Sequence, residues 1–288
     1  MKKSSYFPYI LETHLVDHCN LKCKGCSHFA PLVEGEVFAD IGIFSRDMAR
    51  LRQLFDDIYE IRLMGGEPLL HPELLSFIDV VRQSFPRARV SLFTNGIGLL
   101  NMPDIFWKTC ADKQILVKLT HYPIELPINE IKRKSKEKQV QIKIPNRIKK
   151  FFKHLNISGD SDPRSSFRNC RLMFKTPQLR DGKLYPCFFP AYIHIFNSYF
   201  NLPIYVSDKD FINILENDDP SVILQFLDQQ IPMCRWCLER RNFVKWDLSR
   251  RDIHEWIGNN AGTVPHFFRK LKYHAIHLYS ESKRKLNR

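Results

Sequence analysis

Three cysteines within eight residues, Cys19-Asn-Leu-Lys-Cys23-Lys-Gly-Cys26, limit what this chain can become more than any other stretch. Residues 9–16, Tyr-Ile-Leu-Glu-Thr-His-Leu-Val, read as a strand that delivers the chain into that loop. A C-x3-C-x2-C loop can wrap three corners of an iron–sulfur cube, and complete protein ligation of such a cube takes four thiolates. Three local ligands leave one iron open, and an open position is where a metal centre meets a reactant. Zinc is the competing reading, with His18 or His28 as fourth ligand, and three unrelated buried cysteines are another.

About forty residues on stands Ile61-Arg-Leu-Met-Gly65-Gly66-Glu67-Pro68, a strand running into a glycine turn with a carboxylate at its end. Two glycines allow close approach to the backbone, and a carboxylate can accept hydrogen bonds from a cationic amine. Alone, the turn is only a helix entrance. Together with the cysteine loop it resembles the radical S-adenosylmethionine (SAM) superfamily, whose members pair a CxxxCxxC loop with a GGE strand end. The resemblance covers the N-terminal half. It implies that Cys19, Cys23 and Cys26 hold a [4Fe–4S] cluster whose open iron chelates SAM. One electron then cleaves the sulfonium to methionine and a 5′-deoxyadenosyl radical, which takes hydrogen from a C–H bond. It further implies that Gly65, Gly66 and Glu67 hold the methionyl amine, with Asn95 and Thr120 near the carboxylate and ribose. Many members carry an aromatic residue just before the third cysteine. Here that residue is Gly25, which moves the expected adenine contact to Phe29 or to backbone after Cys26.

Length, at 288 residues, suits one large domain or one plus a small one. The N-terminus lacks a signal-type apolar run, and no stretch reaches transmembrane length. A cytoplasmic, reducing location is therefore expected, where clustered cysteines are metal ligands before they are disulfides. Seven of the eight cysteines fall in two groups, and Cys110 is left as a small core residue. The net charge of +13 gathers at residues 132–153 and in the C-terminal tail. It allows phosphate, nucleic acid or a peripheral membrane contact, or simply a solvated helix face.

Helical periodicity is expected over 44–59, capped by Ser45, and again from Pro72, with strands at 60–64, 89–93, 115–119 and 140–144. A last helix–strand pair is expected at 148–157. Strands alternating with helices argue for parallel βα units, about six before residue 160, and hence an α/β partial (β/α)6 barrel. In such barrels function sits at the C-terminal strand ends. The cysteine loop, Gly65–Glu67, Thr94-Asn95 and Thr120-His121 all follow strands.

After a Ser/Gly/Asp linker at 158–168 the pattern changes. Cys170, the turn Asp181-Gly182 between short β-like runs, Cys187, and Cys234-Arg-Trp-Cys237 make a second set. Four cysteines around a hairpin suit a zinc ribbon. The arrangement also resembles the twitch module of SPASM/twitch radical SAM enzymes, which implies an auxiliary [4Fe–4S] cluster. The expected division is a barrel at 1–160, a small C-terminal hairpin-containing Fe–S (twitch) domain at 161–241, and a basic helical tail at 242–288.

An auxiliary cluster can accept an electron, and twitch enzymes oxidise alcohols of aminocyclitol sugars. The expectation is thus a radical SAM oxidoreductase that dehydrogenates a small polar, carbohydrate-like substrate, with a flavodoxin or ferredoxin as its external electron donor. His121, Lys118, Arg147 and Tyr185 are candidate bases. A peptide-modifying or epimerising radical enzyme is the second reading. A non-catalytic metal module that binds nucleic acid is the third, disfavoured because such binding needs neither the GGE turn nor a three-cysteine loop.

Overall fold

Apolar side chains at every second position carry Tyr6–Val16 into β1, whose Leu11 and Leu15 are fully buried on one face while Glu12 and His14 point to the other. In a computed structural model of the chain, residues 5–171, 176–258 and Asn260 are described. Helix α1 (Ile41–Leu54) follows the cysteine loop and leads to β2 (Asp57–Gly65). Then come α2 (Leu74–Ser84), β3 (Arg89–Thr94), α3 (Asp104–Asp112) and β4 (Leu116–Leu119). A basic helix, α4 (Ile128–Glu137), precedes the short β5 (Ile142–Lys143).

These five strands lie side by side in the order β5-β4-β3-β2-β1, all parallel. Each new strand adds next to the last, and crossovers between parallel strands share one hand. The helices therefore collect on a single face. There Phe44, Met48, Leu51, Phe77, Ile78, Val81, Phe106 and Trp107 close over Leu11, Ile61, Leu63, Val90, Leu92 and Val117. Each such large apolar side chain stabilises the fold by roughly 1.5–3 kcal/mol. Cys110 sits in this core, 1% exposed, as expected of it.

The first helix begins earlier than its periodicity suggests. Asp40, not Ser45, is the cap, accepting Ile43 N–H at 2.8 Å, while Ser45 donates within the helix to Ile41 O. An aspartate one turn upstream offers the orphan amides a better acceptor than a mid-turn serine.

The expected sixth βα unit is not built. β6 (Lys150–Leu155) leaves the sheet and pairs antiparallel with β10 (Cys237–Lys245), making a separate two-stranded ribbon. Between them lie α5 (Pro163–Arg171), then β7 (Gln178–Arg180) and β8 (Lys183–Tyr185). The expected hairpin is present, its turn formed by Asp181 and Gly182 at φ 52° and 76°. Its position was not foreseen. β7 pairs parallel with β1, so the hairpin and the short β9 (Ile212–Asn213) continue the main sheet. A second core forms around α6 (Phe188–Phe200), with Phe189, Tyr192, Phe196, Leu155, Met233 and Trp256. The helix α7 (Pro220–Leu227) is capped by Asp219. The result is an α/β fold with a mostly parallel sheet. Among the described residues no helix is long and apolar enough to cross a membrane. Of the basic helical tail expected at 242–288, residues 242–245 belong to β10, and residues 261–288 lie outside the described residues.

Candidate iron–sulfur and cofactor site

Val16 ends β1, and the chain turns at once into the loop that carries Cys19, Cys23 and Cys26. Gly65 and Gly66 make this turn possible. A Cβ on Gly65 would lie 2.1 Å from Val16 O, and one on Gly66 would lie 2.0 Å from His18 O. Gly66 N–H donates to Val16 O at 2.7 Å and Glu67 N–H to His18 O at 3.1 Å. The glycines thus let two backbones touch, where ligand approach was the sequence-based expectation.

Glu67 is wholly buried. Its Oε1 accepts from Thr94 Oγ1 at 2.7 Å and Leu69 N–H at 3.1 Å, and its Oε2 from Asn95 N–H at 2.8 Å. Burial pushes the carboxyl up to about 7 against these donors. Asn95 turns its own Nδ2 to Asn20 Oδ1 at 2.7 Å and to Cys19 Sγ at 3.6 Å. The GGE turn, the end of β3 and the cysteine loop are therefore one hydrogen-bonded rim.

The charge of Cys26 bears on both Cys19 and Cys23, and that of Cys19 on Cys23. Burial holds the protonated form, up to about 12 at Cys19, opposed there by Leu21 N–H and Asn95. Cys23 is raised further by burial and by its neighbours, and Cys26 by burial despite backbone donors at residues 28–30. Such thiols ionise when a cationic centre replaces their protons, as metal loading requires. Donors are already aimed at the sulfurs: Leu21 N–H at 3.3 Å from Cys19 Sγ, and Trp246 Nε1 at 3.3 Å from Cys23 Sγ.

The loop is clamped by residues far away in sequence. Lys24 N–H donates to Asp247 O and Ser249 N–H to Lys22 O, both at 2.8 Å, and Trp256 Nε1 donates to Cys26 O at 2.7 Å. Gly25 sits at φ 69°, with Val244 filling the space a side chain would need. Tyr122 stands over the site. Burial first, then the charges of Cys23, Cys26, Cys19 and Glu67, push its phenol well above the ordinary range. Sequence reasoning stopped one residue short of it.

The second set also converges. Cys237 feels Cys187, Cys234 and Cys170, and burial raises all four thiols, Cys170 to about 11. Cys170 lies in α5, Cys187 caps α6, and Cys234 precedes β10, which Cys237 opens. A tetrahedral zinc with bonds of about 2.3 Å draws its thiolates to roughly 3.8 Å of one another. Among the described residues no group of three or more Cys, His, Asp or Glu is gathered closely enough to hold a metal ion. Thiols are the donor type that iron–sulfur clusters take, and hydrogen-bond donors stand at the sulfurs of Cys19 and Cys23.

The sheet face opposite α1 to α3 is polar, and α6 covers it at the β1–β7 end through Tyr192. Glu12 bonds Arg62 at 2.9 Å and Gln178 at 2.8 Å, Gln178 accepts from Tyr192 at 3.2 Å, and Glu60 accepts from Arg62, Ser91 and Lys118. Arg62 and Lys118 flank the ring of Phe93 at 4.9 and 5.0 Å. Beside this row, Asp17 is held by Arg180 at 2.8 Å and by His14 at 2.9 Å, and His14 shares a 2.7 Å hydrogen bond with His28.

The four candidate bases do not meet at one place, and of them His121 and Arg147 touch each other. Lys118 is on the polar face but paired with Glu60 at 2.6 Å. His121 accepts from Arg147 at 3.2 Å at an exposed edge. Tyr185 is 8% exposed in the second core, its phenol pushed up to about 12 by burial. Thr120 lies on the rim, donating its N–H to Thr94 O. Phe29 is 2% exposed with its ring against Phe196, so it belongs to the core rather than to an adenine site.

No family model matches the chain. A GTP 3′,8-cyclase of Streptomyces coelicolor is 37% identical over 92 residues, 31% of this chain and 26% of that one. Another from Paenarthrobacter nicotinovorans is 34% identical over 94 residues, 30% of this chain and 24% of that one. This likeness supports membership of the radical SAM superfamily. The matched stretch spans about a quarter of those relatives. Among solved structures, native anSMEcpe with bound AdoMet overlays 80% of this chain and 82% of its own, at 14% identity and a TM-score of 0.48. BtrN in complex with AdoMet and 2-DOIA overlays 81% and 94%, at 15% identity and 0.46. Overlays this loose say nothing of chemistry.

Proposed function

We propose that the chain is a radical SAM oxidoreductase that removes two electrons from a small polar, carbohydrate-like substrate. The observation that carries it is the hydrogen-bonded rim that joins the cysteine loop to the Gly-Gly-Glu turn and the end of β3, with Asn95 Nδ2 at Cys19 Sγ, Asn95 N–H at Glu67 and Glu67 N–H at His18 O. Cys19, Cys23 and Cys26 would hold a [4Fe–4S] cluster, with Asn95 and Trp246 as donors to its sulfurs. Bound there with SAM, that cluster supplies the electron for radical formation. Gly65, Gly66 and Glu67 would hold the methionyl amine, because a buried carboxylate bonded only by neutral donors still lacks a cation. Thr120 and Asn95 line the remaining rim.

Glu12, Arg62, Glu60 and Lys118 suit a substrate with hydroxyl or amino groups. Such groups can exchange hydrogen bonds with this row, which an apolar substrate could not. Cys170, Cys187, Cys234 and Cys237 would form a twitch-like module at 161–241 that holds a second [4Fe–4S] cluster and takes the substrate's second electron. The electron source would be a flavodoxin or ferredoxin.

Anaerobic reconstitution with iron and sulfide, then incubation with SAM, reductant and candidate polyols, tests this reading. About eight irons per chain, 5′-deoxyadenosine, and a product two hydrogens lighter are expected. Firmly bound zinc with no SAM cleavage would overturn it. The likeness to GTP 3′,8-cyclases favours a second reading, in which GTP is the substrate. Offering GTP in the same assay separates the two: a cyclised nucleotide in place of an oxidised polyol decides for the second.

A further inference from the structure

Side chains alternate along β10, and the alternation divides its two faces. The inner face carries Val244, packed on Gly25, and leads to Trp246, which donates to Cys23 Sγ at 3.3 Å. Facing outward are Phe243, 43% exposed, and Lys245, opposite Phe152 and Lys150 of β6. Lys150 Nζ lies 4.0 Å from the centre of the Phe243 ring. The next turn of chain adds Leu248, 57% exposed, whose backbone bridges to Cys23. Lys22, Lys149 and Arg250 stand exposed around it, joined to it through Ser249 N–H to Lys22 O and Trp246 N–H to Lys149 O. Asp247 and Asp252 are the acids on the same segment. One layer of strand thus separates the cysteine loop from a surface that is apolar at its centre and basic at its edge.

We propose that this outer face of the β6–β10 ribbon, centred on Phe243 and Leu248 and ringed by Lys22, Lys149, Lys150 and Lys245, docks an acidic one-electron carrier protein. The inference rests on the reading of Cys19, Cys23 and Cys26 as ligands of an electron-accepting cluster. The carrier, a reduced flavin or iron–sulfur protein, loses one electron and the centre held by Cys23 gains it, with no atom transferred. A positive rim steers a negative partner and sets its on-rate. The apolar centre excludes water once contact is made. The docked carrier then lies over the strand that touches a ligand sulfur. Basic helix α4 has charge but lacks that link: its Lys134 turns back to Leu100 O.

The test uses the full chain with iron and sulfide loaded, and an acidic flavodoxin as probe. Binding is measured by biolayer interferometry at low and high salt, and centre reduction by stopped-flow absorbance. The triple variant Lys22→Glu, Lys149→Glu, Lys245→Glu should bind at least about ten-fold more weakly and be reduced correspondingly slowly by flavodoxin. Dithionite should reduce it as fast as wild type. Reversing Lys132, Arg133 and Lys136 on α4 equalises net charge and should change affinity less than about two-fold. Leu248→Ser should weaken binding while leaving its salt dependence unchanged, which keeps a readout if the triple variant folds poorly.

Wild-type affinity in the triple variant, salt-insensitive binding, or an equal loss on reversing α4 would each overturn the docking face. So would an oligonucleotide that binds the same residues more tightly than flavodoxin. Failure of dithionite to reduce wild type would instead sink the cluster reading beneath it.

Discussion

Trp246 donates its indole Nε1–H to Sγ of Cys23 across 3.3 Å, joining residues 223 apart. A donor at a ligand sulfur spreads the added negative charge when a cluster is reduced, and hydrogen bonds to sulfur are among the levers on its potential. Replacing Trp246 by Phe leaves an aromatic ring toward Tyr122, on which the indole stacks at 6.3 Å, and removes the donor with part of the ring system. A net hydrogen bond is worth about 1 kcal/mol, which is about 40 mV for a one-electron couple at 59 mV per tenfold. The Trp246→Phe protein should keep its iron and show a midpoint lower by about that amount in an EPR-monitored redox titration. An unchanged midpoint would show that the donor does not reach a loaded sulfur.

The glycine pair offers a contrast within one chain. Gly66→Ala would drive its new carbon to 2.0 Å from His18 O, and backbone on both sides leaves no flexible group to yield. Gly35 has positive φ, at 73°, which Gly66 has not, yet nothing lies within 4 Å of its virtual Cβ. Gly35→Ala should therefore cost only the left-handed conformation, about 1–2 kcal/mol. Gly66→Ala should cost more than about 4 kcal/mol, read from urea unfolding, and iron uptake should fall with it.

These contrasts show which parts of the molecule were legible in advance. Local signals survived. The cysteine loop, the Gly-Gly-Glu turn, the Asp181-Gly182 hairpin and the apolar stripes of α1 and α2 are each written within about a dozen residues. The polar sheet face was half visible, since Glu12 and His14 interrupt an otherwise apolar strand at the strand's own period. What could not be read were the long-range closures. Nothing near Trp246, Trp256 or Val244 says that they will clamp residues 23–26, because that contact depends on β10 leaving the main sheet to pair with β6. The same pairing removed the expected sixth βα unit, and β7 took the place beside β1 that no local pattern assigns. Tyr122 was missed for a smaller reason: it lies just past β4, where only tertiary folding decides which side chain turns inward.

His154 on β6 gives a pH signature. Burial presses its imidazole down to about 4, against an ordinary value of 6.5. Between those values the unfolded chain takes up a proton that the folded chain refuses. Stability is therefore fully present above about pH 6.5 and declines as pH falls toward 4, by at most about 3 kcal/mol. His14 and His28, also lowered by burial, act in the same direction, so wild type should weaken steeply on acidification. His154→Leu keeps an apolar contact for Phe188, whose ring lies 5.1 Å away. Between pH 7.5 and 5.0 the variant should lose about 2 kcal/mol less than wild type in urea unfolding. Parallel profiles would mean that His154 titrates in the fold as it does in the open chain.

The two cysteine sets should be separable by iron count and by reaction step. Cys19→Ala removes a ligand whose sulfur is approached by Leu21 N–H and Asn95, at the rim beside Glu67. That variant should drop from about eight irons to about four and yield no 5′-deoxyadenosine under any reductant. Cys187→Ala acts elsewhere. Cys187 begins α6 and faces Cys170 and Cys234, and no residue of the cysteine loop is among its charged neighbours. It should also fall to about four irons, yet still cleave SAM with dithionite at a rate within about threefold of wild type. Substrate should then give up hydrogen to 5′-deoxyadenosine without accumulating the two-electron product, because the second electron has no acceptor. Deuterium at the substrate carbon would follow that hydrogen. Loss of SAM cleavage in Cys187→Ala, with four irons retained and circular dichroism unchanged, would mean that the second set serves the first as a single working unit, and the division of labour proposed above would fall.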